Sequence, residues 1–398
     1  MTATADTVRK RRWPRYFLIG ILALVVLFYL GGGWYFSNQI RDDLLTVKPP
    51  TVSYDLDVLA VDSELITLRE TDGHDDELRT PGVYGVTWDG GTGELGDILT
   101  TGSATDVTRV FTLLEGAAPT AGTQADVNKN VFPPDPLRAF DVAFEDVQYN
   151  SPLGPMDAWF VPGESDTWAV MIHGKGVDRD ETLRVMQPFL EVGLPILSIR
   201  YRNDIDQPQD PSGFYRYGVS EWQDLEGAVQ YAADNGAEDV VLVGLSTGGP
   251  IAISFLQKSP SAGRVKGAVL DAPNLDVGRA VDFAASMRTL PLINTAIPDS
   301  LTSVAKFIAG LRFDIDWDDL DYVNRAANVN FRMLDFHGEA DDTVPIDVSQ
   351  RLTKASRLGV TLFEVPKALH VGSWNIAPDG YATAVREYLQ TIGARGGG

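Results

Sequence analysis

Residues 244–248 read Gly-Leu-Ser-Thr-Gly. They follow the apolar run Asp239-Val240-Val241-Leu242-Val243 and precede Gly249, Pro250 and a helix-like stretch from Ile251 to Gln257. A serine between glycines at a strand-to-helix junction requires a turn too sharp for bulky neighbours, and the glycines let strand and helix approach closely. Its hydroxyl then stands exposed at a sheet edge. The pattern commits this part of the chain to a sheet with helices packed on it. It also makes Ser246 a candidate nucleophile; a serine that only caps the following helix is the plainer alternative.

From about residue 139 onward, strands alternate with helical stretches, which predicts a mostly parallel α/β sheet. Strands are expected at 157–161, 167–172, 194–199, 239–243, 265–270, 331–336 and 360–365. Helices are expected at 181–191, 220–235 and 380–392. Between Asn274 and Val329 lies a mainly helical insertion rich in leucine, alanine and isoleucine. Ligands in such sheets bind beyond the carboxyl ends of the strands, so an insertion there is expected to form a cap over the site.

A serine hydroxyl is a weak nucleophile and needs a base within hydrogen-bond reach. The chain has 4 histidines. His74 lies among acidic residues; His173 and His337 each close an apolar strand and precede glycine, and His173 is read as structural. His370 follows the last strand on a loop, which makes it the candidate base. The orienting acid is expected in His337-Gly338-Glu339-Ala340-Asp341-Asp342-Thr343-Val344-Pro345. Asp341 and Asp342 both qualify by position, with Glu339 and Asp271 as lesser candidates. A tetrahedral oxyanion needs two N–H donors. These are expected from the backbone of Thr247 and from that of Lys175, within His173-Gly174-Lys175-Gly176. The Lys175 side chain is left pointing to solvent or to a substrate carboxylate.

On these residues, 139–398 resemble the α/β-hydrolase superfamily. The match comprises the His-Gly loop at 173, the Gly-Leu-Ser-Thr-Gly elbow, the His-Gly-x-x-Asp-x-x-Val-Pro segment from 337 to 345 and the late His370. The resemblance places the acid at Asp341, four residues after His337 and four before Pro345. It implies acyl transfer to Ser246 with His370 as base, most naturally from a small-molecule ester or thioester. A small-peptide or amide hydrolase is the second enzyme reading, and a catalytically silent surface binding protein the reading from another class. The layout is similar to membrane-anchored bacterial α/β-fold hydrolases with a β-rich N-terminal segment. It is also similar to the dipeptidyl-peptidase and acyl-peptide hydrolase branch, although it lacks room for their propeller.

The N-terminal part carries the membrane reading. Arg9, Lys10, Arg11, Arg12 and Arg15 form a basic cluster, and no charged residue occurs from Tyr16 to Phe36. About 20 apolar residues suffice to cross a bilayer as a helix. Trp13, Tyr16, Trp34 and Tyr35 flank the run as interfacial aromatics. It ends Gly31-Gly32-Gly33-Trp34-Tyr35-Phe36 with no small-x-small site, which favours an uncleaved anchor over a cleaved signal. The expected layout is a basic cytoplasmic tail (1–15), a single transmembrane helix (16–36), a linker (37–50), a β-rich region (51–138) and an extracytoplasmic α/β-hydrolase domain (139–398) with the cap at 274–329. At under 90 residues, the β-rich region is too short for a peptidase-type propeller.

Composition excludes several classes. The net charge of −22 opposes binding to nucleic-acid phosphates. With 0 cysteines there is neither disulfide nor thiolate chemistry. No Walker or dinucleotide glycine motif occurs, so no cofactor is expected. His74 with Asp72, Asp75, Asp76 and Glu77 reads as a solvated acidic loop rather than a metal or acid/base site. The run Asp314, Asp316, Asp318, Asp319, Asp321 fails the calcium-loop template, because Asp319 stands where glycine should and Arg325 where glutamate should. No metal site is expected. Arg200, Arg202, Glu221 and Asp224 are expected to form bracing ion pairs, with substrate-carboxylate binding by Arg202 as the sharper alternative. Trp374 is expected to pack the histidine loop or to line the pocket.

Overall fold

The computed structural model describes residues 13–48, 53–71, 76–101, 105–290, 294–326, 329 and 331–394. His74 and its neighbours Asp72 and Asp75 lie outside the described residues. In chain order, the first elements are α1 (Trp13–Ile40), β1 (Leu56–Val61), β2 (Leu65–Glu70), α2 (Asp76–Arg79), β3 (Tyr84–Trp88), β4 (Gly91–Thr101), β5 (Asp106–Gly116), β6 (Gln124–Asn128) and α3 (Pro136–Phe140). Next come β7 (Glu145–Ser151), β8 (Gly154–Val161), β9 (Thr167–Ile172), α4 (Leu183–Val192), β10 (Ile196–Ile199), α5 (Trp222–Asp234), β11 (Asp239–Leu245), α6 (Gly248–Lys258) and β12 (Val265–Asp271). The remainder are α7 (Val277–Ser286), α8 (Asp299–Phe313), α9 (Val323–Ala326), β13 (Met333–Gly338), α10 (Asp347–Ala355), β14 (Val360–Val365), α11 (Ser373–Ile376) and α12 (Pro378–Thr391).

The chain forms two compact units. One joins the N-terminal part up to Leu45 with Ala284–Trp317; the other comprises Thr46–Phe283 and Asp318–Gly398. In the first, α1 is long and apolar enough to cross a membrane. It outlasts the charge-free run: residues 37–40 continue it, and Arg41–Leu45 add a wider π-type turn. Most of the segment expected as a linker is therefore helical, because no proline lies between Pro14, in the first turn, and Pro49.

The insertion is helical as expected, but its middle belongs with α1. Leu301, Ala305 and Ala309 of α8 are buried. A Cβ on Gly33 would lie 2.7 Å from Val304 Cγ1 and 2.9 Å from Ile308 Cδ1, so this glycine lets the two helices touch. Tyr29 and Ser300 hydroxyls are 2.7 Å apart. The Arg312 guanidinium stacks 3.7 Å from the Trp34 ring centroid and donates to Asn38 Oδ1 at 2.9 Å. Arg288 pairs with Asp43 at 3.0 Å.

In the second unit the β-rich region is a closed antiparallel barrel of order β1-β2-β5-β4-β3-β6, with β6 returning to β1. Closure leaves no strand edge unpaired. Alternation places Leu56, Val58, Ile66, Leu68, Val107 and Phe111 inside. Trp88 pairs with Gly91, so Asp89-Gly90 is a two-residue hairpin and the glycines beyond it begin β4. Gly93 is a strand residue whose added Cβ would meet Phe111 Cε2 at 2.4 Å.

The body is an 8-stranded mixed sheet of order β14-β13-β12-β11-β9-β10-β8-β7. The strands from β9 onward run parallel, while β8 and β7 are antiparallel additions at one side. β9, β11 and β12 are buried on both faces, which is why they read as continuous apolar runs. The chain passes from β9 to β10 on one side and then to β11 on the other. The carboxyl ends of β9 and β11 therefore form the switch point where such sheets open a crevice. The barrel's exit segment is part of this core: Val131 is buried in it, and Phe132 lies 5.4 Å from Trp374.

Candidate active site

Ser246 sits at the end of β11 with φ +48, a left-handed conformation that a residue with a Cβ adopts at a cost of about 1–3 kcal/mol. Its N–H donates to Asp271 O at 2.9 Å, and its carbonyl accepts from Gly249 N at 3.0 Å and Asn274 N at 3.1 Å. A Cβ on Gly244 would lie 2.8 Å from the Gly248 backbone, and one on Gly248 would lie 2.3 Å from Ile172 O. These two glycines let the turn close.

His370 Nε2 lies 2.8 Å from Ser246 Oγ, and His370 Nδ1 lies 2.8 Å from Asp341 Oδ2. With Nδ1–H donating to Asp341, the neutral ring presents Nε2 as an acceptor for the Ser246 hydroxyl. Asp341 is buried; its Oδ1 accepts from Thr343 N and Val344 N, each at 2.8 Å. His337 Nε2 lies 3.3 Å from Asp341 Oδ2. Burial opposes the carboxylate's charge, but the two imidazoles and their hydrogen bonds hold its pKa well below the usual range. Asp342 is exposed and accepts from the Thr343 hydroxyl; Glu339 is exposed; Asp271 is fully buried, and burial pushes its pKa up to about 7. Of the candidate acids, Asp341 is the one that meets His370.

Thr247 directly precedes α6, so its N–H belongs to the helix's open first turn. The loop after β9 passes beside the serine, since a Cβ on Gly174 would lie 3.3 Å from Ser246 Cβ. Gly174 N is held by Glu181 Oε2 at 2.7 Å, and Lys175 is the next residue along this loop. His173 supports this loop from beneath. It is fully buried, stacked on Tyr201, with Nε2 2.9 Å from Asp204 Oδ2 and Nδ1 2.7 Å from Gly174 O. Burial disfavours its charge, yet Asp204 and the Gly174 carbonyl raise its pKa to about 9.

The expected ion pairs are partly redistributed. Arg202 binds Asp224 with two hydrogen bonds, at 2.7 and 2.8 Å, and reaches Asp210 at 3.1 Å. It is 2% exposed, so its guanidinium is committed to the interior rather than to a substrate. Arg200 pairs instead with Asp178, and Glu221 accepts from the amides of Arg216, Gly218 and Ser220. Trp374 is buried in the core against Phe132. In the acidic run, Arg325 pairs with Asp319 at 2.7 Å and Arg351 approaches Asp321 at 3.4 Å. Among the described residues no group of His, Asp and Glu is arranged to hold a metal ion.

Sequence reasoning missed the buried polar residues behind the site: Glu181, Arg184, Asp204 and Asn375. Arg184 Nη1 donates to Val371 O at 2.6 Å and Asn375 Oδ1 at 2.9 Å, and its Nη2 to Glu181 Oε1 at 3.2 Å. The available signal was two charges three residues apart beside the core residues Leu183, Val185, Met186 and Phe189.

A sequence profile for a domain of unknown function, DUF8805, matches residues 57–128, the span of the barrel. No curated protein matches the chain. Among solved structures, an esterase from Pyrococcus furiosus aligns with a TM-score of 0.52 and 19% identity, over 66% of this chain and 97% of that one. A second crystal form of that esterase gives 0.50 and 19%, over 66% and 94%. An α/β serine hydrolase without a lid, from Xanthomonas campestris, aligns at 0.42 and 14%, over 63% and 93%. At such identity the likeness is one of fold. The body has the α/β-hydrolase fold.

Proposed function

We propose that this chain is a membrane-anchored serine hydrolase that cleaves acyl esters or thioesters through an acyl-enzyme. The observation that carries the reading is the continuous hydrogen-bond chain Ser246 Oγ–His370–Asp341 at a strained strand-to-helix turn. Ser246 Oγ attacks the acyl carbonyl while His370 Nε2 takes its proton, and Asp341 stabilises the resulting imidazolium. The amides of Thr247 and Lys175 hold the oxyanion. Collapse of the tetrahedral intermediate breaks the bond to the leaving group, which leaves with the proton from His370. Water then attacks the acyl-enzyme, His370 again acting as base, and releases the acid and Ser246. The esterase neighbour supports an ester as substrate. The apolar α1 supports a single span through 16–36, with the basic tail inside and the catalytic body outside.

The test is labelling of the full-length chain in detergent with a fluorophosphonate, beside Ser246→Ala and His370→Ala, with hydrolysis of p-nitrophenyl esters of graded chain length. Labelling and turnover in the wild type alone are expected. A folded wild type that neither labels nor turns over would overturn the reading in favour of a binding protein.

A further inference from the structure

We infer that the barrel is a brace for the active site, with Asn375 and Arg184 as positioning residues that fix the histidine loop to it. The inference rests on the reading of His370 as the base of Ser246. Asn375 lies five residues after His370, in α11, and is fully buried. Its Nδ2 donates to Val83 O at 2.7 Å and Lys129 O at 3.0 Å, and its backbone carbonyl accepts from Val83 N at 2.8 Å. Val83 directly precedes β3, and Lys129 directly follows β6. These two strands are paired, so Asn375 is gripped by adjacent strand ends of the barrel. A Cβ on Gly82 would lie 2.3 Å from Asn375 O, so the barrel backbone approaches as closely as a glycine allows.

From Asn375 the connection runs inward. Its Oδ1 accepts from Arg184 Nη1, and the same nitrogen donates to Val371 O. Val371 is the residue after His370 and has φ +50. A β-branched residue rarely adopts that conformation and keeps it only where its surroundings over-determine it. The guanidinium held by Asn375 supplies that constraint. Through Nη2 it also holds Glu181, whose other oxygen fixes Gly174 N beside Ser246. One buried arginine thus ties the histidine loop to the loop that carries Lys175, and Asn375 ties both to the barrel. A relaxed Val371 would turn His370 away from Ser246 and Asp341.

The variant Asn375→Asp separates the two ends of this connection. It keeps an oxygen for Arg184 and removes both N–H donors to the barrel carbonyls. In the full-length protein, kcat on a p-nitrophenyl ester should fall about tenfold to 100-fold, since a displacement near 1 Å has effects of that size. KM should change by less than about threefold, fluorophosphonate labelling should slow in step with kcat, and the pH profile of kcat/KM should shift. A role in folding alone would lower Tm and leave the kinetics and pH profile of the folded protein unchanged. Folded Asn375→Asp with wild-type kcat and pH profile overturns the inference. If that variant does not fold, Arg184→Lys, which keeps the charge but not the fork of donors, carries the same test from the body side. A wild type without labelling or turnover sinks the nucleophile reading itself, and the brace as a catalytic support with it.

Discussion

Arg109 in the barrel and Arg184 in the body are both buried, yet their partners differ in kind. Arg109 donates from Nε to Gly96 O at 2.9 Å, from Nη1 to the carbonyls of Glu77, Leu78 and Thr80, and from Nη2 to Gly82 O at 2.6 Å. These are backbone groups, several of them left open where the short α2 ends. Arg184 meets a carboxylate, an amide side chain and the carbonyl of a left-handed valine. Backbone strain divides the same way. Among the described residues, none from 56 to 128 other than glycine has a positive φ, whereas Ser246, Ala272, Lys367 and Val371 do, in the segments that follow body strands β11, β12 and β14. The barrel spends its buried polar groups on closing itself. The body uses its own to hold unfavourable conformations where the proposed chemistry takes place.

Substitutions in the body's polar chain should produce the largest effects and leave the fold intact. Ser246→Ala should lower ester kcat by about 10⁴-fold or more, read by steady-state kinetics beside circular dichroism. Asp341→Asn should cost about 10⁴-fold, while Asp342→Asn should stay within about threefold. Equal losses from the two aspartate variants would erase the distinction between them.

In the barrel the expected effect is on stability. Arg109→Met strands several buried carbonyls, so unfolding free energy should drop by about 3 kcal/mol or more, read by chemical denaturation. If kcat of the folded fraction fell as far as in Asn375→Asp, the barrel interior would prove as tightly coupled to the site as its rim.

A pH effect should follow from His173. Its folded pKa near 9 exceeds its ordinary value near 6.5, so its contribution is fully present below about 6.5 and lost as pH rises through 9. Tm should therefore decline over that window, and His173→Gln should flatten the decline. Asp341 acts in the opposite direction. Its depressed pKa stabilises the fold above the usual carboxylate range, a contribution lost on strong acidification. The smallest effect should come from the exposed Arg69–Asp106 pair on the barrel wall. Arg69→Ala should leave both Tm and kcat close to their wild-type values.

What could be read from the sequence was local. The elbow at 244–248 announces itself because turn, strand and helix are contiguous; position alone leaves Asp341 and Asp342 open, and only the resemblance of 337–345 to the α/β-hydrolase pattern implies Asp341. Arg184 and Asn375 lie 191 residues apart, and no local pattern announces such a pair. The same holds for α8 against α1. The insertion's apolar residues suggest a cap, but that they serve a helix more than 250 residues upstream is visible only in three dimensions. Barrel closure was hidden for a different reason, because glycines within β4 mimic turn signals.

The pairing of α1 with α8 bears on shedding. The body's chain leaves at Phe283 for the unit that holds α1 and re-enters at Asp318. A protease cutting between Leu45 and Leu56 would sever only one of three covalent crossings between the units. The fragment beginning at the cut would still carry α8, noncovalently joined to α1 through Gly33, Tyr29 and Arg312. Release of the body would therefore require that helix pair to come apart, or two further cuts, so with α1 spanning a membrane as proposed a single nick should leave the body with the membrane fraction.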